Sequence, residues 1–498
     1  VGVSRQANPN NPQPTRLAML GFACRLTPTY AATLLQSLAI IHRCRDAMNH
    51  LRTVCLSALL CSLALPALAS EDFAARAQAM LAGDIANGNP GAAVLVARGN
   101  QVLYRGATGM ANVELSVPLS ADQRFHIGSI TKTLTATTVL KLAAMHKLSV
   151  SDPLSRYLPD FPNAAHITLA QLLDHTSGVS DDWEAGPAET FDTKSLVERI
   201  ATKAPDFAPG AQWRYSNSGY MLLGAVIERV TGQSWDRAMH DLVLAPVGMQ
   251  HTLYAGDESI VSGQVEGYST DAKGNATRAP YSSMTGPGAA GALSSTVDDL
   301  FKFLRALHRE LLPSALREAM TTPKTTSDGQ PVAYGYGIAV GTVRGKPVYE
   351  HNGGIAGFAT QFTYFPEQDV TVVVLANTDG GRPNPRALAH RLGALAVDDP
   401  YTSWTPQALS ASDMQALAGS YRIAGDSKHV LGIRDAKLTI RRDGGPEREL
   451  AAAKGDVLYY AGDGTDYIHV ARDAKGHPIA LEFHSDGMLT ARREPRLP

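Results

Sequence analysis

A serine–lysine tetrad is the feature that most restricts what this chain can be. Ser129-Ile130-Thr131-Lys132 opens the apolar segment FHIGSITKTLTATTVLKLAAMHK, whose pattern predicts a helix from Ser129 to His146. Residues three apart share one face of a helix, so Lys132 is expected beside Ser129. A serine hydroxyl needs a neighbour to take its proton, and a buried lysine can lose its charge and accept it. The tetrad alone also fits an ordinary helix with Ser129 as N-cap and Lys132 in solvent.

Two later motifs favour the catalytic interpretation. Tyr215-Ser216-Asn217 lies within WRYSNSGY, and His351-Asn352-Gly353-Gly354 adjoins a strand-like run. A Ser-x-x-Lys tetrad, a Tyr-x-Asn triplet and a His-x-Gly strand, in this order, make up the constellation of penicillin-recognising serine hydrolases. The chain therefore resembles the superfamily of class C β-lactamases and D-alanyl-D-alanine carboxypeptidases, peptidase family S12 in particular. The stretches LLDHTSG, FAPGAQWRYSNSGYMLLGAVIERVTG, LAPVGM and AAGALSSTVDDLFKF support it, over roughly residues 75–395.

The resemblance implies a role for each motif residue. Ser129 would be the nucleophile that forms an acyl-enzyme, and Lys132 would hold it and relay its proton. Tyr215 would be the partner base, and its pKa, ordinarily near 10, would have to be lowered by a cation such as Lys132. Asn217 is expected to bond the substrate amide or Lys132. The alternatives are a core aromatic for Tyr215 and a helix cap for Asn217.

The His-x-Gly strand is expected to bind the substrate. By the resemblance, His351 takes the place of the cationic lysine of β-lactamases and points into the cleft, and Gly353 lets the substrate lie along the strand as an added strand. The backbone N–H groups of Ser129 and Gly354 would form the oxyanion hole. His351 also fits a structural strand residue, and His175 in LLDHTSG is interpreted as a residue that structures its loop.

The order of elements predicts an α+β hydrolase domain over residues 71–396. A helix is expected at Glu71 to Asn87, followed by a hairpin of strands Ala92 to Ala97 and Gln101 to Gly106. Helices Met221 to Thr231, Trp235 to Leu244, Thr296 to Leu307 and Pro385 to Val397 are also expected, with strands Tyr334 to Thr342, Pro347 to His351, Ala359 to Phe365 and Val370 to Ala376. Strands at both ends with helices between them indicate an antiparallel sheet with a helical insertion, as in the β-lactamase/transpeptidase-like fold.

The carboxy-terminal part is expected to be a small β-barrel. After a linker at residues 397–410, residues 411–498 hold short alternating segments that turn residues separate, and six to eight strands are predicted. LAGSY, from Leu417 to Tyr421, and the strand number resemble the lipocalin-like domain appended to several S12 hydrolases. No internal repeat or low-complexity tract is found.

The amino-terminal region predicts export. Residues 48–69 have a basic start, an apolar stretch and the small-x-small sequence Ala67-Leu68-Ala69, which together are typical of a secretory signal peptide. Residues 1–47 are therefore interpreted as a mis-called upstream extension. All four cysteines precede the proposed cleavage site. We expect a bacterial periplasmic or secreted enzyme that meets the membrane only through its signal peptide before cleavage.

Composition and motifs narrow the remaining classes of function. A net charge of −2 gives no reason to expect nucleic acid, and no metal-binding run or Gly-x-Ser-x-Gly elbow is present. We therefore expect a serine hydrolase without cofactor or metal that acts on a small molecule or short peptide. A D-amino-acid peptidase, carboxypeptidase or esterase ranks above a class C-like β-lactamase, because histidine is mostly neutral at pH 7. The alternative of another class is a penicillin-binding sensor without turnover.

Overall fold

The computed structural model describes residues 72–182, 185–257, 259–271, 275–460 and 464–497. The proposed signal peptide, the upstream extension and the four cysteines lie outside these residues. The helices are α1 (72–84), α2 (Thr131–Ala144), α3 (Leu169–Leu173), α4 (Thr193–Ala201), α5 (Asn217–Thr231), α6 (Trp235–Met239), α7 (Ala245–Val247), α8 (Val297–Leu307), α9 (Ser314–Thr321), α10 (Pro385–Ala396) and α11 (Ala411–Leu417). Short 3₁₀ turns lie at Gly128–Ile130, Leu154–Arg156, Ala164–His166, Gly288–Ala290 and Ser485–Gly487, and a π-helical turn at His240–Leu244.

Strands from both ends of the predicted hydrolase region form one antiparallel sheet. The strands of this region are β1 (Ala92–Arg98), β2 (Gln101–Thr108), β3 (Met110–Asn112), β4 (Val117–Pro118), β5 (Phe125–His126), β6 (Leu253–Tyr254), β7 (Tyr268–Thr270), β8 (Ala276–Arg278), β9 (Leu293–Ser295), β10 (Lys324–Thr325), β11 (Pro331–Val332), β12 (Ala339–Val343), β13 (Lys346–Ile355), β14 (Phe358–Phe365) and β15 (Val370–Ala376). The sheet order β12-β13-β14-β15-β1-β2 places the first two strands beside the last four, as expected. The expected α+β arrangement, an antiparallel sheet with a helical insertion, is thereby confirmed for this region.

Alternating side chains of the central sheet enter two separate cores. On one face Leu95 and Val373 join the helical insertion, including residues of α2, α5 and α8. On the other face Val94 and Val374 pack with residues of α1 and α10. A strand points successive side chains to opposite faces, so β1 and β15, almost wholly buried, must be apolar on both faces. This burial makes the sheet a rigid support for the site at its edge.

The structure changes three of the expected element boundaries near the motifs. Ser129 lies in the 3₁₀ turn before α2, so the α-helix itself begins at Thr131. Helix α5 begins at Asn217 and is capped by the Ser216 hydroxyl, which accepts from the Gly219 N–H at 3.1 Å. The predicted strand from Tyr334 is shorter, because β12 begins at Ala339.

The carboxy-terminal region is a nearly closed antiparallel barrel. Its eight strands follow one another in sequence order, and an isolated bridge from Tyr421 to Arg496 approaches closure between the first and last. Leu431, Leu450 and Leu481 belong to its own apolar core. The strands are β16 (Gly419–Ala424), β17 (Ser427–Arg434), β18 (Lys437–Arg442), β19 (Arg448–Ala453), β20 (Val457–Tyr460), β21 (Tyr467–Arg472), β22 (Pro478–His484) and β23 (Arg492–Pro495).

The barrel docks on the hairpin turn between β12 and β13. Asp486 accepts from the Arg344 backbone N–H and the Tyr401 hydroxyl, and the Arg344 guanidinium also bonds Asp399 at 3.0 Å. The described residues from 72 onward, including the barrel, form one compact unit. The domain boundary expected at residues 397–410 therefore stays a prediction. Across those residues, none of the helices is long and apolar enough to cross a membrane.

Candidate active site

The Ser129 turn is pressed against the second half of β13. Gly128 has a φ of 51°, and a Cβ there would lie 2.8 Å from the Gly354 nitrogen. A Cβ on Gly353 would lie only 2.0 Å from the Ile127 carbonyl oxygen. Glycine is therefore required at both contact points, since a side chain at either would push the serine turn away from the strand.

Lys132 reaches Ser129 from one turn further along the chain. Its Nζ lies 3.1 Å from Ser129 Oγ, 2.7 Å from Asn217 Oδ1 and 2.8 Å from the Ala290 carbonyl oxygen. The Lys132 side chain is completely buried. Burial lowers its pKa to about 7, although the nearby Asp181 carboxylate raises it in part. The expectation of a lysine beside the serine is thus realised, with an amine that can be neutral at physiological pH.

The geometry of the neutral amine orients its lone pair. An uncharged amine has two N–H donors and one lone pair. The oxygens of Asn217 and Ala290 can only accept, so they take the two N–H groups. The remaining direction faces Ser129 Oγ, which can donate its proton along that contact. This arrangement can deprotonate the hydroxyl.

Tyr215 lies beside both groups, but its pKa shifts in the direction opposite to the one expected. The ring centroid is 4.7 Å from Lys132 Nζ, and the phenol hydrogen-bonds the Ser129 side chain. Burial raises the pKa of Tyr215, the Ser129 bond lowers it and the Asp181 charge raises it further. The expected cation does not lower it, because Lys132, with a pKa of about 7, has lost its proton before the phenol titrates. Tyr215 is therefore a neutral phenol that donates and accepts hydrogen bonds.

Asn217 is held by a carboxylate that the motifs do not include. Its Nδ2 donates to Asp181 Oδ2 at 3.0 Å while its Oδ1 accepts from Lys132. The expected contact with Lys132 is present, and both ends of the carboxamide are in use. Asp181 precedes Asn217 by 36 residues, and no periodicity links the two positions. The signal that could have found it is the acidic pair Asp181-Asp182, which follows the HTSG sequence after two residues.

His351 lies in the wall of the cleft as a neutral imidazole and not as a cation. Its Nδ1 donates to the Asn352 carbonyl oxygen at 2.6 Å, and its Nε2 accepts from the Tyr334 hydroxyl at 2.7 Å. Only 3% of the residue is exposed. Burial lowers the pKa of His351 to about 4, so the imidazole is neutral at physiological pH. Both ring nitrogens therefore have hydrogen-bond partners within the protein. His351 forms part of the cleft wall together with Tyr334, a residue that the sequence motifs did not include.

The open edge of β13 lies beside the serine turn. Pairing with β12 ends at Glu350, whereas pairing with β14 continues to Ile355. The half of β13 from His351 onward therefore has a free edge next to Ser129, where a substrate could add as a strand. Gly354 sits on this half with nothing within 4 Å of a Cβ position. Of these two glycines, the fold itself requires only Gly353, because a Cβ there would clash with the Ile127 carbonyl oxygen. No substrate is needed to explain that requirement.

Two cavities flank the serine. One of about 310 Å³ is lined by Ser129, Asn217 and Gly354, and also by the carboxylates of Asp181 and Glu189. The other, about 330 Å³, is lined by Trp213, Tyr215, Tyr334 and His351. Among the described residues that line them there is neither lysine nor arginine. Nor does the described part of the chain contain a group of three or more metal-ligating side chains arranged around a common point.

His175 organises the aromatic wall behind the site. Its φ is 65°, and its Nδ1 accepts from the Ser216 N–H at 3.1 Å. The ring lies 4.4 Å from that of Tyr215 and 4.8 Å from that of Tyr334. These contacts agree with a loop-structuring residue that fixes the segment leading into α5.

Comparison with known proteins identifies the family. The family model described as Beta-lactamase matches residues 73–396, which is more than half of the chain and includes every motif residue. The chain belongs to the beta-lactamase family. As the named relatives below are hydrolases, the protein is a serine hydrolase of this family.

Three relatives illustrate the range of the family. A D-aminopeptidase of Gluconobacter oxydans is 28% identical over 319 residues, 62% of this chain and 60% of that protein. Esterase EstB of Burkholderia gladioli is 36% identical over 180 residues, 32% of this chain and 46% of that protein. The crystal structure of a D-stereospecific amidohydrolase from a Streptomyces species matches with a TM-score of 0.54 and 30% identity, covering 61% of this chain and 94% of that one.

Proposed function

We propose that the protein hydrolyses amide or ester bonds of small substrates through an acyl-enzyme on Ser129, with Lys132 as the base. The observation that carries this proposal is the buried amine of Lys132, 3.1 Å from Ser129 Oγ, with both N–H groups accepted by other oxygens. A side chain poised in this way contributes to catalysis by removing the proton as the oxygen attacks.

The reaction follows from the positions of these groups. Ser129 Oγ attacks the carbonyl carbon while its proton passes to Lys132 Nζ, and the oxyanion accepts from the N–H groups of Ser129 and Gly354. The neutral Tyr215 phenol, bonded to Ser129, relays a proton to the leaving nitrogen or oxygen, and the C–N or C–O bond breaks. Lys132 supplies the proton that Tyr215 relays and so returns to its neutral form. Water then attacks the acyl-enzyme and gives a proton to Lys132, which passes it to Ser129 Oγ as the acyl C–O bond breaks and the acid is released.

The charges around the cleft favour substrates with a free amino group over those with a free carboxylate. Asp181 lines the cavity next to Ser129, as does Glu189, whose charge is paired with Arg199, and the neutral His351 offers no cation on the other side. A carboxylate in such a cleft would lack the paired cation that its desolvation requires. We therefore rank D-amino-acid amides and amino-terminal D-peptides first, in line with the D-aminopeptidase and D-stereospecific amidohydrolase relatives. Carboxypeptidase and β-lactamase substrates rank lower.

Simple ester hydrolysis is the second candidate. The similarity to esterase EstB and the exposed, aromatic Trp213 in the second cavity favour it, because an apolar alcohol could rest there. Trp213 is 42% exposed. A sensor without turnover would need a stable acyl-enzyme, and it is the alternative that a release assay detects.

A substrate panel tests the proposal. We expect hydrolysis of D-alanine p-nitroanilide, which has a free amino group, to exceed that of its N-acetyl form, with a chromogenic cephalosporin and a D-alanyl-D-alanine carboxypeptidase substrate far slower. Ser129→Ala, which removes one oxygen, should lower kcat by at least about a hundredfold and abolish fluorophosphonate labelling. Stoichiometric labelling by substrate without release would favour the sensor, and full activity of Ser129→Ala would refute the nucleophile.

We further propose that the protein is exported and that its barrel is a lipocalin-like domain. Export is supported by the signal-peptide pattern of residues 48–69, and the barrel assignment by LAGSY and the eight ordered strands. Sequencing the amino terminus of the secreted protein tests the first point, since cleavage after Ala69 is expected. An amino terminus upstream of Met48 would contradict it.

A further inference from the structure

The Asp181 carboxylate accepts several hydrogen bonds from the amino terminus of α5. It accepts from the backbone N–H groups of Asn217 and Ser218, both at 2.7 Å, and from Asn217 Nδ2 at 3.0 Å. The Ser216 hydroxyl shares its single proton between Asp181, at 3.2 Å, and the Val179 carbonyl oxygen, at 2.9 Å. All four donors come from three consecutive residues, and the carboxylate lies on the wall of the Ser129 cavity.

The carboxamide of Asn217 has neighbours with opposite hydrogen-bonding needs. A carboxylate only accepts, so Asp181 fixes the nitrogen end of the carboxamide and turns its oxygen toward Lys132. In the flipped orientation, an oxygen of Asn217 would face an oxygen of Asp181, which is repulsive. Asp181 therefore selects one of the two orientations of Asn217.

That orientation matters for the base. If Nδ2 faced Lys132, it would donate to the lone pair that otherwise faces Ser129, and the amine could no longer accept the serine proton. We infer that Asp181 is a positioning residue of this hydrolase, which acts through Asn217 to keep the Lys132 lone pair directed at Ser129. The inference deepens the proposed function and rests on Lys132 as the base.

The charge of Asp181 provides a readout that a purely structural role would lack. Asp181 raises the pKa of Lys132 against the effect of burial, so its neutralisation should lower that pKa further. The other titratable groups around Lys132 are Tyr215, Tyr220, His175 and His351. Burial raises the pKa of both tyrosines and lowers the pKa of both histidines. None of these four groups changes charge near neutral pH, which leaves Lys132 to set the acidic limb of the rate profile.

The test compares Asp181→Asn with Ser216→Ala on a neutral p-nitrophenyl ester. Asp181→Asn keeps the size of the side chain, removes its charge and lets Asn217 flip. We expect kcat to fall at least about tenfold with KM changed less than about twofold, and the acidic limb of kcat/KM to move down by about half a pH unit or more. Ser216→Ala removes the acceptor of the Gly219 N–H and the longest hydrogen bond to Asp181, but leaves the charge of Asp181 and its contacts with Asn217. We expect Ser216→Ala to lower Tm and to leave the acidic limb of the kcat/KM profile at its wild-type position.

A second variant covers a failure of Asp181→Asn to fold. Asp181→Glu keeps the charge but displaces the carboxylate, so kcat should fall while the acidic limb stays near its wild-type position. A limb that is present in wild type and unmoved in Asp181→Asn, or an unchanged kcat in Asp181→Glu, would overturn the inference alone. A wild-type profile without the limb would remove Lys132 as the base, and the inference with it.

Discussion

At the scale of single residues, burial decides which groups of the cleft carry charge. Lys132 and His351 are both basic side chains, yet burial lowers the pKa of each, to about 7 and about 4. The same effect raises the pKa of Tyr215. The proton acceptor is therefore the amine, and the phenol and imidazole act as neutral partners of hydrogen bonds. Sequence motifs name these residues but cannot supply their burial, and so the lowered pKa expected for Tyr215 was wrong.

The first prediction concerns the pH dependence of the wild-type enzyme. Lys132 must be deprotonated to act as the base, and its pKa of about 7 places that change near neutrality. We expect kcat/KM for a neutral ester to rise about tenfold per pH unit below that pKa and to level off above it. Because the pKa of Tyr215 is raised, that residue should cause no decline on the alkaline side up to about pH 9. A flat profile through neutrality would contradict the assignment.

The second prediction separates a base from a cation at the same position. Lys132→Arg keeps a positive charge that is not lost in proteins. We expect kcat to fall by about 10²–10⁴-fold, the range for loss of general acid–base catalysis. The circular dichroism spectrum should keep the wild-type helix and strand signals. Activity near wild type would show that a charge at this position suffices.

At the scale of elements, the site depends on contact between the Ser129 turn and β13. Gly353→Ala would place a Cβ 2.0 Å from the Ile127 carbonyl oxygen, whereas Gly354→Ala meets nothing within 4 Å. We expect the first substitution to destabilise the protein by about 1–3 kcal/mol or more, as overpacking does, and the second to leave Tm near wild type. Thermal unfolding of the two variants checks this, and equal Tm values would contradict the contact.

A secondary-structure element could be predicted from the sequence where a single pattern of apolar residues identified it. Strands β1 and β15 are nearly continuous apolar runs, and both of them, together with β2 and β14, agree with the prediction to within two residues at each end. The number of barrel strands was predicted only as six to eight, because SKHVLGIR of β17 and RELAAA of β19 lack the regular apolar alternation of a half-buried strand. Asp181 was missed for another reason: its partner Asn217 is distant in sequence, and only the folded chain brings them together.

At the scale of the whole molecule, the barrel and the catalytic cleft meet opposite ends of one strand. The Asp486 contacts lie at Arg344, just before β13 begins, while Gly354 lies near its end. A strand rises about 3.3 Å per residue, so the docking site and Ser129 cleft are separated by roughly 30 Å. The barrel therefore adds no described side chain to the two cavities beside Ser129.

The last prediction uses this separation. Asp486→Ala removes the carboxylate that joins the Arg344 backbone and the Tyr401 hydroxyl, and leaves those partners without their acceptor. We expect the barrel to unfold in a separate, earlier transition by calorimetry and to become sensitive to limited proteolysis near residues 397–410. Fluorophosphonate labelling of Ser129 should keep its wild-type rate below that transition, since the substitution is far from the cleft. Glu449→Ala is the matched control, because its carboxylate pairs with Lys437 within the barrel and should change neither result. A single unfolding transition with slowed labelling would instead show that docking of the barrel supports the catalytic site through the sheet.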